Sequence, residues 1–283
     1  MNVRQVGKKI KSISNVKKIT NAMQLVSAVK MKKAQQRALD GRSYQELLEE
    51  AIANIVQRAE LTASELLKPN KNTSGKKLFI VVTSNKGLCG SFNVNVIRFL
   101  AKQVNRENAF VTLGKKGTVL ISSLGGKVIA DYSSTNLVDN VTAVFQLALE
   151  KYLNGEYSSV SLVYNKFIST LRYDPQEKTL LPFSLNEVRK EAEQKPKIYE
   201  IEPDSESVID ALLKSFIEEQ IRYAVIESEA GEHSARMIAM QNATDNANSV
   251  IYELTLLKNK LRQQSITYEL LDMITAKESV EQS

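Results

Sequence analysis

The 283-residue chain holds a single histidine, His233, and a single cysteine, Cys89. A zinc site or a histidine-based triad would have to be assembled around that one imidazole, and the usual ligand spacing is not found near it. The lone cysteine excludes an internal disulfide and fits a reducing compartment. Two glycine-bearing segments invite phosphate chemistry, because a strand, a glycine loop and a helix N-terminus can together hold an anion. The first, Gly87-Leu88-Cys89-Gly90, follows the apolar run 78–83 and precedes a helical pattern. It has neither the GK[ST] ending of a P-loop nor G-x-G-x-x-G spacing. The second, Gly114-Lys115-Lys116-Gly117-Thr118, is too short. Both read as strand-to-helix turns, and no catalytic residue, cofactor site or metal site is expected.

The elements that would position any chemistry are set by proline. All five prolines lie between Pro69 and Pro203. Proline lacks an N–H and clashes with the preceding helical turn, so the proline-free arms on either side are free to form long helices. The expected organisation is an N-terminal coiled-coil helix over 1–68, a linker at 69–76, an α/β middle domain over 77–203 and a C-terminal coiled-coil helix over 204–283.

In the first arm Val6, Ile10, Ile13, Val16, Ile19, Met23, Val26 and Val29 recur at steps of three and four, which predicts one buried stripe. In the last arm Ala247, Val250, Leu254, Leu257 and Leu261 read as a heptad seam, continued by Gln264, Tyr268 and Leu271. The alanines 235, 239, 243 and 247 precede it at spacings of four and would let another helix approach closely. In the middle region the strand-like runs are 78–83, 109–113, 127–132, 158–169 and 178–183. Helical patterns lie near 94–104 and 137–152. Alternating strands and helices predict a layered, Rossmann-like sheet.

Charge is uneven. Residues 1–39 contain ten Lys or Arg and no Asp or Glu, whereas 205–283 contain thirteen acids and seven bases. A solvated coiled-coil face, an acidic protein partner, nucleic acid or an anionic lipid surface would each account for the basic arm. No run of apolar residues is long enough to span a bilayer, and no secretory signal is expected.

Four blocks of residues together resemble the gamma subunit of the F-type ATP synthases, the central stalk of the F1 motor. They are Ile10 with Ile19-Thr20-Asn21-Ala22-Met23, Val26 and Lys30-Met31; then 84–93, containing Gly-Leu-Cys-Gly; then Arg236-Met237, Met240 and 243–247; then Asn259-Lys260, Arg262-Gln263, Ile266-Thr267 and Glu269-Leu270. Asn85-Lys86 stands where an acid followed by Arg is common, Ser91 replaces a frequent glycine, and the chloroplast regulatory insert is missing.

The resemblance implies an antiparallel coiled coil of the two terminal helices, carrying a central Rossmann-like α/β domain. It implies a non-catalytic subunit that rotates inside the alpha3beta3 ring and couples transmembrane ion flow to ATP synthesis. Its implied partners are the F1 alpha and beta subunits, the epsilon subunit and the membrane c-ring, with no nucleic acid and no direct bilayer insertion. The implied place is peripheral, on the cytoplasmic side of the inner or plasma membrane. Carried over position by position, the rotor–ring contacts would be Met23, Lys30, Arg262, Gln263, Thr267 and Glu269.

Overall fold

A computed structural model describes residues 2–56, 64–68, 75–104, 107–134, 136–184 and 205–281. The linker expected at 69–76, save Gly75 and Lys76, lies outside these residues, as do 57–63 of the first arm and 185–203 of the middle region. The chain forms two compact units, Met1–Ser27 with Met237–Ser283, and Ala28–Arg236. Two long helices contribute to both: α1, Val3–Val56, and α5, Ser205–Glu281. The terminal helices and a central mixed sheet are thus as the sequence predicts.

The smaller unit is the antiparallel coiled coil of the two terminal helices. Its seam does not follow the apolar stripe read from the first arm. The eight apolar positions from Val6 to Val29 average about 3.3 residues per step, whereas a supercoiled seam returns every 3.5 residues. The stripe therefore drifts off the contact face, and Val16 and Ile19 are 50% and 60% exposed. The covered positions repeat every seven residues instead. Val6, Thr20 and Ser27 are buried, and Ile13 between them is half-buried.

The last arm is corrected in the same way. Met240 and Ala247 are buried and Thr244, Ile251, Leu254, Lys258 and Leu261 half-buried, while Val250, Leu257, Gln264, Tyr268 and Leu271 face solvent. One hydrogen bond crosses this seam, between the hydroxyls of Thr20 and Thr244 at 2.7 Å. Each hydroxyl also approaches a carbonyl of its own helix, Lys17 at 3.0 Å and Met240 at 2.9 Å. Two hydroxyl protons serve three acceptors, so one threonine donates across the seam while the other donates back into its helix.

The larger unit is built on a five-stranded sheet of order β3-β2-β1-β4-β5. The strands are β1 Lys77–Val82, β2 Ala109–Leu113, β3 Lys127–Asp131, β4 Ser159–Ser169 and β5 Arg172–Leu181. The first four are parallel and β5 runs antiparallel to β4. β1 reads as an unbroken apolar run because both its faces are covered. Phe79 and Val81 pack with Val96, Leu100, Phe110 and Ile121, from β2 and the helices α2 (Phe92–Leu100) and α3 (Lys115–Ser123). On the other face Leu78, Ile80 and Val82 join Val144 and Ala148 of α4 (Val141–Leu153), Leu213, Phe216 and Ile221 of α5, and Ile52 of α1. Each such aliphatic side chain, fully buried, contributes about 1.5–3 kcal/mol of transfer free energy.

Two elements depart from the sequence reading. The segment 114–118, read as a turn, is the cap residue Gly114 followed by the first turn of α3. Gly117 is there for packing, since a Cβ would lie 2.7 Å from the Thr83 hydroxyl. Strand β5 begins six residues before the expected run at 178. Pro175 masks it in the sequence, and is tolerated because β5 pairs on one side only, with β4.

Gly114 holds φ at +114°, and a Cβ there would lie 2.1 Å from the Thr83 carbonyl oxygen. Gly114→Ala should therefore destabilise the full chain by about 3 kcal/mol or more in denaturant unfolding. Gly41→Ala, where a Cβ meets open space within α1, should stabilise it by up to about 1 kcal/mol. At the seam, Thr20→Val or Thr244→Val alone should cost about 0.5–1.5 kcal/mol, and the double variant no more than either single one. Strictly additive costs in that cycle would mean the two hydroxyls do not interact.

Candidate functional site

The residues singled out by resemblance fall in both units. Arg262, Gln263, Thr267 and Glu269 lie on one exposed stretch of α5 in the smaller unit. Arg262 and Glu269, seven residues apart, share one face; Gln263 and Thr267, four apart, share another. Local bonds order them: the Thr267 hydroxyl donates to the Gln263 carbonyl at 3.0 Å, and Ser265 donates to the Glu269 carboxylate at 3.1 Å. Met23, also in the smaller unit, is half-buried on α1, and its carbonyl accepts a 2.7 Å bond from Ser27. Lys30 belongs to the larger unit, where it is exposed on α1 and its charge helps hold Glu229 below the usual carboxylate range, behind the stronger influence of His233.

Around the α5 group more than half of the exposed surface is apolar, the remainder being a polar strip of Arg262, Ser265, Glu269 and Asp272. Ile266, Tyr268, Leu270, Leu271, Met273 and Ile274 are 47 to 67% exposed. A helix end that displays large apolar side chains over most of its circumference has an incomplete environment, and contiguous exposed apolar surface marks an interaction site. Its chemistry is that of contact. Among the described residues no cluster of His, Cys, Asp or Glu is arranged to hold a metal.

The glycine turn of the larger unit is a second constellation. Leu88 has φ +63° and is exposed, and Gly90 has φ +58°. A leucine in the left-handed region is strained and persists only where its surroundings dictate it. The neighbours here do so. Asn93 donates to the Ser84 hydroxyl at 2.7 Å and accepts from the Ser84 amide at 3.0 Å, and Ser84 donates to the Lys86 carbonyl at 2.7 Å.

From α5, the buried Arg236 donates to the Lys86 carbonyl at 3.0 Å and the Gly87 carbonyl at 3.2 Å, and pairs with Glu232 at 2.7 Å. Burial pushes the Cys89 thiol up, against smaller opposing effects of Ser84 and Arg236, so it is a poor nucleophile. Arg236 as the clamp of this turn is not visible in the sequence: only the motif block that contains it marks it, and its partners lie about 150 residues away.

The phosphate reading of the second glycine segment fails on hydrogen bonds as well as on length. The amides of Lys115, Lys116 and Gly117, at the start of α3, donate to the Asn85 side chain at 3.1 Å, the Ser84 carbonyl at 3.0 Å and the Thr83 hydroxyl at 2.8 Å. The N–H groups that would receive an anion are already used.

The ATP synthase family model matches residues 2–280. The ATP synthase gamma chain of Variovorax paradoxus is 39% identical over 282 residues, 96% of each chain. That of Methylacidiphilum infernorum is 36% identical over 289 residues, 96% of this chain and 97% of its own. Among solved structures, a chain of the Euglena gracilis mitochondrial ATP synthase, in its OSCP/F1/c-ring structure, superposes with a TM-score of 0.68 at 17% identity, over 98% of this chain and 94% of that one. A chain of the Tetrahymena thermophila mitochondrial ATP synthase, in the central stalk and c-ring structure, gives 0.57 at 24% identity, over 80% and 99%. At those identities the structures speak for the fold, while the curated relatives match along nearly their whole length. The chain belongs to the ATP synthase gamma chain family.

Proposed function

We propose that this chain is the central rotor stalk of an F-type ATP synthase, a non-catalytic subunit that transmits torque between ion flow through the membrane and ATP chemistry in the alpha3beta3 ring. The observation that carries this reading is the exposed end of α5, where the seam stops at Leu261 and large apolar side chains then face solvent over more than half of the helix circumference. Such an end can turn inside an apolar sleeve, because dispersion and hydrophobic contact have little directional preference. Directional bonds would instead hold it at one angle.

The residue contacts follow the same logic. Arg262 and Glu269 offer charge on one face and Gln263 and Thr267 offer hydrogen bonds on another, so the ring would meet different chemistry as the helix rotates. Met23 and the exposed Lys30 would meet acidic loops lower on the ring. The basic first arm would add an attraction that varies smoothly with angle at short range. Residues 1–68 and 204–283 would form the shaft, with 69–76 a linker. The middle domain, 77–203, would form the foot that meets the epsilon subunit and the c-ring. The place of work would be the cytoplasmic side of the inner or plasma membrane, held peripherally. No helix of the described residues is long and apolar enough to cross a bilayer.

Reconstitution of alpha and beta subunits with and without this chain tests the reading. ATP turnover should rise in a complex holding one copy of the chain per three beta subunits. Arg262→Ala should lower ATP-driven turnover roughly fivefold, the equivalent of about 1 kcal/mol. Removal of the residues after Glu269 should weaken coupling while leaving the helical circular dichroism signal in place. A folded chain that forms no complex and stimulates nothing would overturn the proposal. Unchanged turnover and assembly in Arg262→Ala would remove that residue from the contact set.

A further inference from the structure

Behind the clamp that Arg236 makes on the glycine turn stands the one imidazole of the chain. His233 and Arg236, three residues apart on α5, are both buried. Arg236 Nη1 lies 3.3 Å from His233 Nδ1, its one partner among the described residues. A guanidinium can only donate, so Nδ1 accepts, and the ring proton sits on Nε2, 3.6 Å from the Glu229 carboxylate. Glu229 also faces Arg37 of α1 at 3.9 Å. A neutral ring thus bridges an acid tied to α1 and the guanidinium that holds the carbonyls of Lys86 and Gly87.

A second proton on the ring would go to Nδ1. It would remove the acceptor of Arg236 Nη1 and set two cations 3.3 Å apart, out of water. The surrounding charges do not offset this. On α5 the acids are already engaged, Glu232 with Arg236 at 2.7 Å and Glu229 with Arg37. From α1, Lys30 and Arg37 both act on Glu229. On the β4–β5 hairpin Arg172 and Asp174 pair with each other at 2.8 Å. The glycine turn brings the exposed Lys86 and the buried thiol of Cys89, whose Sγ is 3.9 Å from the Lys86 carbonyl oxygen. Leu88, between these two residues, is held at φ +63°, so strain favours release of the turn once a tie is lost.

We propose that His233 and Arg236 form a pH-sensitive latch on the glycine turn, closed while the imidazole is neutral and opened when Nδ1 takes up a proton. An imidazole is the side chain type able to change charge between about pH 5 and pH 8. The open turn binds one proton more than the closed one, so opening grows as pH falls. The latch lies within the larger unit and does not depend on the rotor reading.

Cys89 is the only thiol and lies buried under the turn, so its accessibility reports the latch. The measurement is the rate at which an aromatic disulfide reagent modifies Cys89 in the full chain, at about pH 6 and about pH 8. His233→Gln is the reference, because its amide offers an acceptor to Arg236 and a donor to Glu229 and takes up no proton. The thiolate fraction of an opened turn changes equally in both chains, so the ratio of wild-type to variant rate reads the latch alone. That ratio should be about one at the higher pH and rise about tenfold at the lower, the loss of one charge-assisted hydrogen bond. His233→Leu, which offers no acceptor, should react about tenfold faster than His233→Gln at the higher pH. Should His233→Leu fail to fold, hydrogen exchange of the amides at 86–90 in the wild-type chain and His233→Gln supplies the same ratio. A ratio that stays near one at both pH values, or that falls as pH falls, would overturn the latch. Equal rates in folded His233→Leu and His233→Gln would overturn the part assigned to the bond between Arg236 and the ring.

Discussion

Two helices can stay in contact along a supercoil only if the covered positions return every 3.5 residues on average. That constraint decides most of what the smaller unit presents. On the first helix it places Val6, Ile13, Thr20 and Ser27 inward, and on the last Met240, Thr244, Ala247, Ile251, Leu254 and Leu261. Several of these are small or polar, so the helices approach closely and little bulk is taken inside. The larger apolar residues Val16 and Ile19 of the first helix are left outside, while the group from Ile266 to Ile274 lies beyond the last seam position, Leu261. An apolar exterior on a coiled coil is a consequence of the period, and it makes the surface suitable for a partner.

The larger unit obeys a different constraint. Its parallel strands are covered on both faces, so its stability rests on apolar packing such as the stacked rings of Phe79 and Phe110, 5.5 Å apart. Its turns are held by side chains bonded to main chain. Thr83 receives the amide of Gly117 and donates to the carbonyl of Gly114 at 2.9 Å. Arg236 closes on two carbonyls of the glycine turn while Glu232 balances its charge. A buried guanidinium is tolerable only with such full compensation, since removing one partner would strand a charge out of water. This binds α5 to the sheet by directional bonds, in contrast to the undirected surface at its far end.

What could be read from the chain follows from how local each signal is. β1 and β2 are plain in the sequence because strands covered on both faces must be apolar throughout. β5 is partly hidden because Pro175 reads as a breaker, and only its place at the sheet edge makes that proline harmless. The start of α3 is hidden because Gly117 looks like a turn residue, while its reason is the nearness of Thr83. The seam departs from the sequence pattern because apolar residues at steps of three and four satisfy a straight helix, and the supercoil selects a slightly different period. The exposed tip is legible in the sequence only through its motif positions, Arg262, Gln263, Thr267 and Glu269. The role of Arg236 left no local trace.

By itself the sequence determined two long proline-free helices around a layered α/β region, the absence of nucleotide-loop spacing, and the family through its four motif blocks. These depend on neighbouring residues, since helix and strand are set by backbone restriction and by periods of a few positions. Tertiary structure decided which helix face is covered, that the amides at 115–117 are used, and that Arg236 meets a turn about 150 residues distant. Those outcomes depend on which distant group reaches each unsatisfied donor, acceptor or apolar face, and a linear pattern does not contain that distance.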